Sequence, residues 1–158
     1  MSTKIPRCAR NDKLALVAAA LASLCLTSPT HADTNFARQD YILNCQGCHL
    51  ADGSGAPGKV PNLKGFLGNF LHVPGGREYI IQVPGAAHSV LDDGRLAGVM
   101  NWMLENFSRA QLPADYVPYS GAEVGALRKD ALLDPGARRG ELLREIETHL
   151  GVKERAGS

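Results

Sequence analysis

Between residues 92 and 107 the apolar positions Leu96, Val99, Met100, Met103, Leu104 and Phe107 recur at intervals of one, three and four, the period of a helix with one buried face. Asp92 and Asp93 stand at its start, where carboxylates meet the positive end of the helix dipole. Phe36, Ala37, Tyr41 and Ile42 form a shorter apolar face and predict a first helix over 35–44. Gly53, Ser54, Gly55 and Gly58 make 51–58 a loop. The run Pro61, Leu63, Phe66, Leu67, Phe70 and Leu71 then reads as irregular chain and a short helix laid on an apolar object.

Pro74-Gly75-Gly76 and Pro84-Gly85 break the chain on either side of a short helix or extended piece at 77–83. Two prolines and two tyrosines make 112–119 an extended surface strap. Ser120 and Glu123 have the spacing of a capping box for a helix running to about residue 133. Pro135 suits the first turn of a last helix ending near Gly151, with Leu142, Leu143 and Ile146 inside, and 153–158 reads as a frayed tail. No stretch alternates long enough to argue for a sheet, so the expected fold is all-α.

The amino-terminal pattern is of another kind. Lys4, Arg7, Arg10 and Lys13 lead into an apolar run at 14–26, and Thr30-His31-Ala32 is an acceptable cleavage site, which together read as an export signal over 1–32. The run is short for a membrane span. Leu24 before Cys25 is too large for lipoprotein processing. A periplasmic chain of 33–158 without a stable membrane span is expected. The signal holds four of the 17 basic and one of the 16 acidic residues, so the formal charge of +1 becomes about −2, which argues against nucleic acid as a partner.

Cys8 and Cys25 leave with the signal, and Cys45 and Cys48 remain of the four cysteines. They stand in Cys45-Gln46-Gly47-Cys48-His49, the C-x-x-C-H spacing of c-type haem attachment: two thiols tether one covalent haem, and His49 supplies the proximal axial ligand. A redox dithiol would need a βαβ surround, and a zinc site would need two further ligands; neither pattern is visible.

Helix, C-x-x-C-H, glycine-rich loop, Pro-x-Leu, short helix and longer helix with an internal aromatic follow one another as in the class I c-type cytochromes, which this chain resembles over about 35–107. The resemblance places Tyr41 where family members often carry an aromatic. It implies a haem domain at 33–107 with a carboxy-terminal extension at 108–158, the first and last core helices crossing through Phe36 and Trp102, and the Pro61 carbonyl orienting His49. One departure stands out: the loop from Val83 to Ser89, where the family presents a methionine, contains none.

His88 is therefore the first candidate for the distal ligand, Met103 the second and Met100 the third; His72 is a further histidine flanked by apolar residues, and His149 is expected on the surface. Arg77 and Trp102 are candidates for the haem environment, each able to meet a propionate. Gly53 and Gly55 are expected to let their loop approach the haem. The functional expectation is an electron carrier between a dehydrogenase and a downstream redox protein. The alternatives are a haem subunit docked into an oxidoreductase by its extension, and a gas- or peroxide-reactive haem protein.

Overall fold

The computed structural model describes residues 31–154. The expected export signal lies, up to residue 30, outside the described residues. Helix α1 (His31–Asn44) leads directly into a single turn, α2 (Gln46–His49). After a loop and a 3-10 turn (Leu67–His72) come α3 (Gly76–Gln82), α4 (Pro84–Ala87) and the long α5 (Asp93–Phe107). A second 3-10 turn (Arg109–Gln111), α6 (Gly121–Leu127) and α7 (Pro135–Leu150) complete the chain. Among the described residues there is no strand, only an isolated antiparallel bridge between Ala56 and Val60. The fold is all-α.

Helix α5 is the axis of the molecule. Asp92 caps it by accepting from the Arg95 N–H at 2.8 Å, and Leu96, Val99, Met100, Met103 and Leu104 are all buried. The first helix crosses it at Gly98, where an added Cβ would lie 3.9 Å from the Ala37 side chain. Phe36, the expected crossing residue, is 63% exposed, and Ile42 is also exposed. The face that meets α5 is instead Ala37 and Tyr41, with the Tyr41 ring 5.2 Å from both Trp102 and Phe107. Buried Asp40 ties the same two helices by taking both arms of the Arg95 guanidinium, one of them at 2.9 Å.

The extension packs on this pair and shares its core. Tyr119, Val124, Leu142 and Ile146 are buried in one cluster with Leu96, Val99 and Leu104. The strap is therefore not a surface feature at Tyr119, whose hydroxyl donates to the Arg77 carbonyl at 2.7 Å and whose N–H donates to Asn101 at 2.8 Å. Ser120 caps α6 by accepting from the Glu123 N–H at 3.2 Å, but the helix stops at Leu127 rather than near 133. Arg128 ends it by turning its guanidinium onto the carbonyls of Ala87, Ser89 and Leu91, at 3.0, 2.5 and 2.8 Å. The chain beyond is held to α3 by the Leu132 N–H, which donates to the Gln82 carbonyl at 2.9 Å.

Helix α7 opens on Asp134, which accepts from the Ala137 N–H, and closes on left-handed Gly151. Leu142 and Ile146 are buried as expected, with Leu143 partly so. The tail is less free than its sequence suggests: Lys153 bonds Glu147 at 2.7 Å, and Glu154 pairs with Arg139. Residues 155–158 lie outside the described range.

Burial leaves a pH signature. Desolvation raises the Tyr41 and Tyr116 phenols to about 12, and raises Tyr119 as well. The folded state therefore favours the neutral phenols. That stability is complete below pH 10, the ordinary tyrosine value, and is lost as pH rises through the folded values. The thermal midpoint is expected to fall between pH 10 and 12 together with the rise of tyrosinate absorbance, and a flat midpoint across that window would contradict it.

Candidate haem site

The C-x-x-C-H turn grows directly out of α1. The Cys45 N–H donates to the Tyr41 carbonyl at 2.9 Å, and the Cys48 and His49 N–H groups donate to the Cys45 carbonyl at 3.2 and 3.0 Å. Helical spacing sets residues three apart on one face, so the two thiols, both free, line one cavity together with His49. Burial is the largest cause that pushes the Cys45 thiol up to about 11, followed by Asp40 and Cys48. That is the reverse of the depressed value of a redox-active C-x-x-C pair.

The turn is locked from both sides. Leu50, just after His49, has φ 62° and ψ 172°, a conformation that glycine normally takes. The Tyr41 hydroxyl holds it there by donating to the Leu50 carbonyl at 2.5 Å. Across the loop, Gly55 has φ +69°, and a Cβ on it would come within 2.5 Å of the Val60 carbonyl oxygen and 2.6 Å of the Pro61 carbonyl oxygen. Only glycine lets this stretch of loop lie against Pro61. Gly55→Ala is expected to lower stability by about 1–3 kcal/mol as a drop in denaturant midpoint; an unchanged midpoint would show that the contact is soft.

The His49 Nδ1 is buried and makes no hydrogen bond of good geometry among the described residues. Burial lowers the imidazole, while the nearby Pro61 carbonyl opposes that shift. Pro61 thus lies near enough to act on the ring electrostatically.

The cavity measures about 460 Å³, within the usual range for small-molecule and cofactor sites of roughly 300–1,000 Å³. Its walls are apolar where α3, α4 and the first 3-10 turn supply Ile80, Val83, Ala86, Leu67 and Phe70. Leu96, Met100 and Met103 enter from α5 as one stripe at helical spacing. Paired thiols, one imidazole with a spare buried nitrogen, two thioethers and an apolar wall form a donor set that fits a covalently held haem.

Several expected participants lie elsewhere. His88 is exposed at the end of α4 and does not line the cavity; Arg128 draws the Ala87 and Ser89 carbonyls inward on either side of it, leaving its side chain outside. Arg77 is also remote from the cavity. Its guanidinium takes both Glu123 oxygens at 2.6 and 2.8 Å, donates to the Val117 carbonyl and lies over the Tyr119 ring. Trp102 packs between Tyr41 and Phe107.

His72 is exposed and bonded to the Gln111 carbonyl, and His149 is exposed on α7. Gly53 serves packing, since a Cβ there would meet the Phe107 ring at 2.8 Å. Conversely, Tyr79, Lys59, Pro135, Gly136 and Arg139 line the cavity although nothing in the sequence marked them as site residues. The last three come from the extension, and nothing in a helix rich in charged residues marks one arginine as inward-facing.

No helix among the described residues is long and apolar enough to cross a membrane. No family model matches the chain. A cytochrome c-552 of Thermus thermophilus is 30% identical over 106 residues, covering 56% of this chain and 81% of the relative. A second cytochrome c-552, from a named strain of Thermus thermophilus, is equally identical over the same length, covering 72% of that relative. At that identity and coverage the chain belongs to the c-type cytochromes.

Proposed function

We propose that the chain is a periplasmic electron carrier that would hold one haem on Cys45 and Cys48, with His49 as a ligand to its iron. The observation that carries this reading is the convergence of both thiols and His49 on a single apolar cavity, in a chain that belongs to the c-type cytochromes. When bound, the group supplies a one-electron Fe(III)/Fe(II) couple. Cys45 and Cys48 would hold the group through thioether bonds and so fix its position. The Pro61 carbonyl would orient the imidazole, and Leu67, Phe70, Ile80, Val83 and Leu96 would surround the group with apolar side chains.

A second ligand to the iron would come from α5. Met100 and Met103 are the two soft donors on the cavity face, both buried, whereas the methionine-free loop turns His88 outward. A thioether ligand together with an imidazole would favour Fe(II) and raise the potential. Among the described residues, neither a carboxylate nor a second histidine lines the cavity. This supports outer-sphere transfer over peroxide chemistry, which needs an acid–base group.

Electron exchange of this kind uses small, short-lived interfaces, with a dehydrogenase as donor and a downstream redox protein as acceptor. Fast, reversible reduction by a periplasmic dehydrogenase is expected in stopped-flow, with slow or absent carbon monoxide binding to the reduced protein. Rapid carbon monoxide binding, with no exchange with any periplasmic donor, would overturn the carrier reading in favour of a gas-reactive one.

A further inference from the structure

The cavity has a charge pattern that the thiols and the axial ligands leave unused. Among the described residues, the only side chains of fixed charge on its lining are Lys59, which is exposed, and Arg139, which belongs to the extension. The Arg139 side chain is 16% exposed. Its guanidinium lies 5.2 Å from the centroid of the Phe70 ring, which stacks on Tyr79 in the same wall. One of its terminal nitrogens pairs with Glu154. Pro135 and Gly136, one turn earlier on α7, also reach the cavity, so this helix forms part of the wall.

Haem c brings two propionate carboxylates, and a carboxylate held at an apolar wall needs a cation or several donors. A guanidinium has five N–H donors in a planar fork, more than Glu154 engages. Resting on the haem reading above, we infer that Arg139 compensates the charge of a haem carboxylate, and that the Arg139–Glu154 pair on the extension sets the reduction potential. The extension is then a part of the redox centre rather than an appendage. A cation this sheltered acts on the iron through a lower dielectric than a solvated one, so it favours the electron-rich Fe(II) state. Glu154 offsets that effect by sharing the cation.

The test is the midpoint potential of the haem-loaded protein, by spectroelectrochemistry at fixed pH and ionic strength, for wild type, Arg139→Gln, Arg139→Lys, Glu154→Gln and Arg144→Gln. Arg144 is an exposed arginine on the same helix and outside this cavity, so its variant changes net charge equally. Arg139→Gln is expected to lower the Fe(II)/Fe(III) ratio at a given ambient potential by about threefold to tenfold, where tenfold is about 59 mV for one electron.

Arg139→Lys is expected to recover most of that loss and Glu154→Gln to shift the ratio the other way, while Arg144→Gln changes it by less than about twofold. Equal shifts for Arg139→Gln and Arg144→Gln, or a Glu154→Gln shift of the same sign as Arg139→Gln, would overturn the assignment. Wild-type protein lacking covalent haem would instead overturn the reading on which it rests. A normal haem spectrum with unmoved midpoints defeats the Arg139 role alone.

Discussion

Replacing both Met100 and Met103 with leucine in the haem-loaded protein is expected to abolish the thioether–imidazole signature in absorption and paramagnetic-resonance spectra. The midpoint potential should fall with it by roughly 0.1 V or more, within the span of about 0.8 V that axial ligands command. Leucine nearly conserves volume, so each swap should cost less than about 1.5 kcal/mol and leave the fold intact. Both methionines are buried on the cavity stripe of α5, and one single variant alone should reproduce the loss. His88→Ala should leave the signature in place, because that side chain is exposed and outside the cavity. A double variant whose spectra and midpoint stay those of the wild type would show that neither methionine is the ligand, and a change of spin state on His88→Ala would move the ligand back to the loop.

Truncation after Phe107 carries the second large effect. It removes Tyr119, Val124, Leu142 and Ile146 from the cluster they share with Leu96, Val99 and Leu104. Each buried aliphatic or aromatic side chain is worth about 1.5–3 kcal/mol, so four of them approach the whole stability of a small domain, about 5–15 kcal/mol. The cut also strips the Ala87, Ser89 and Leu91 carbonyls of Arg128, and Arg77 of Glu123. The truncated chain should fail to unfold cooperatively at about 25 °C by circular dichroism. A stable, folded, haem-loaded 33–107 fragment would revive the alternative in which the extension exists to dock a partner.

The legible part of this molecule was the part that local chemistry dictates. The apolar stripe of α5 and its Asp92 cap are written within one stretch of chain, as is the C-x-x-C-H turn, whose neighbours in sequence are its neighbours in space. Long-range pairing was not legible. Glu123 keeps its capping-box tie to Ser120, yet its carboxylate also goes to Arg77, 46 residues away, and this removes Arg77 from the site. Phe36 has the right period for the helix crossing, but the close approach of α1 to Gly98 is made by Ala37, leaving the larger ring outside. His88 has ligand chemistry but the wrong side of its turn, a matter decided by Arg128, far along the chain.

The methionines illustrate the same limit from the other direction. Their spacing marks them as buried, but a buried thioether is core filling unless something else shows that its face borders a cavity. Arg139 is the extreme case, since its sequence neighbourhood describes a solvated helix and only the packing of α7 on the first 3-10 turn brings it inward.

Whether Cys45 and Cys48 hold one haem is decided by the intact mass and peptide map of protein exported from a host with haem-attachment machinery. The mature chain should be heavier by one haem, carried on the peptide spanning Cys45 to His49, and Cys45→Ala with Cys48→Ala should lose that mass and the visible spectrum. Exported wild-type protein whose two thiols both remain free to alkylation would contradict it.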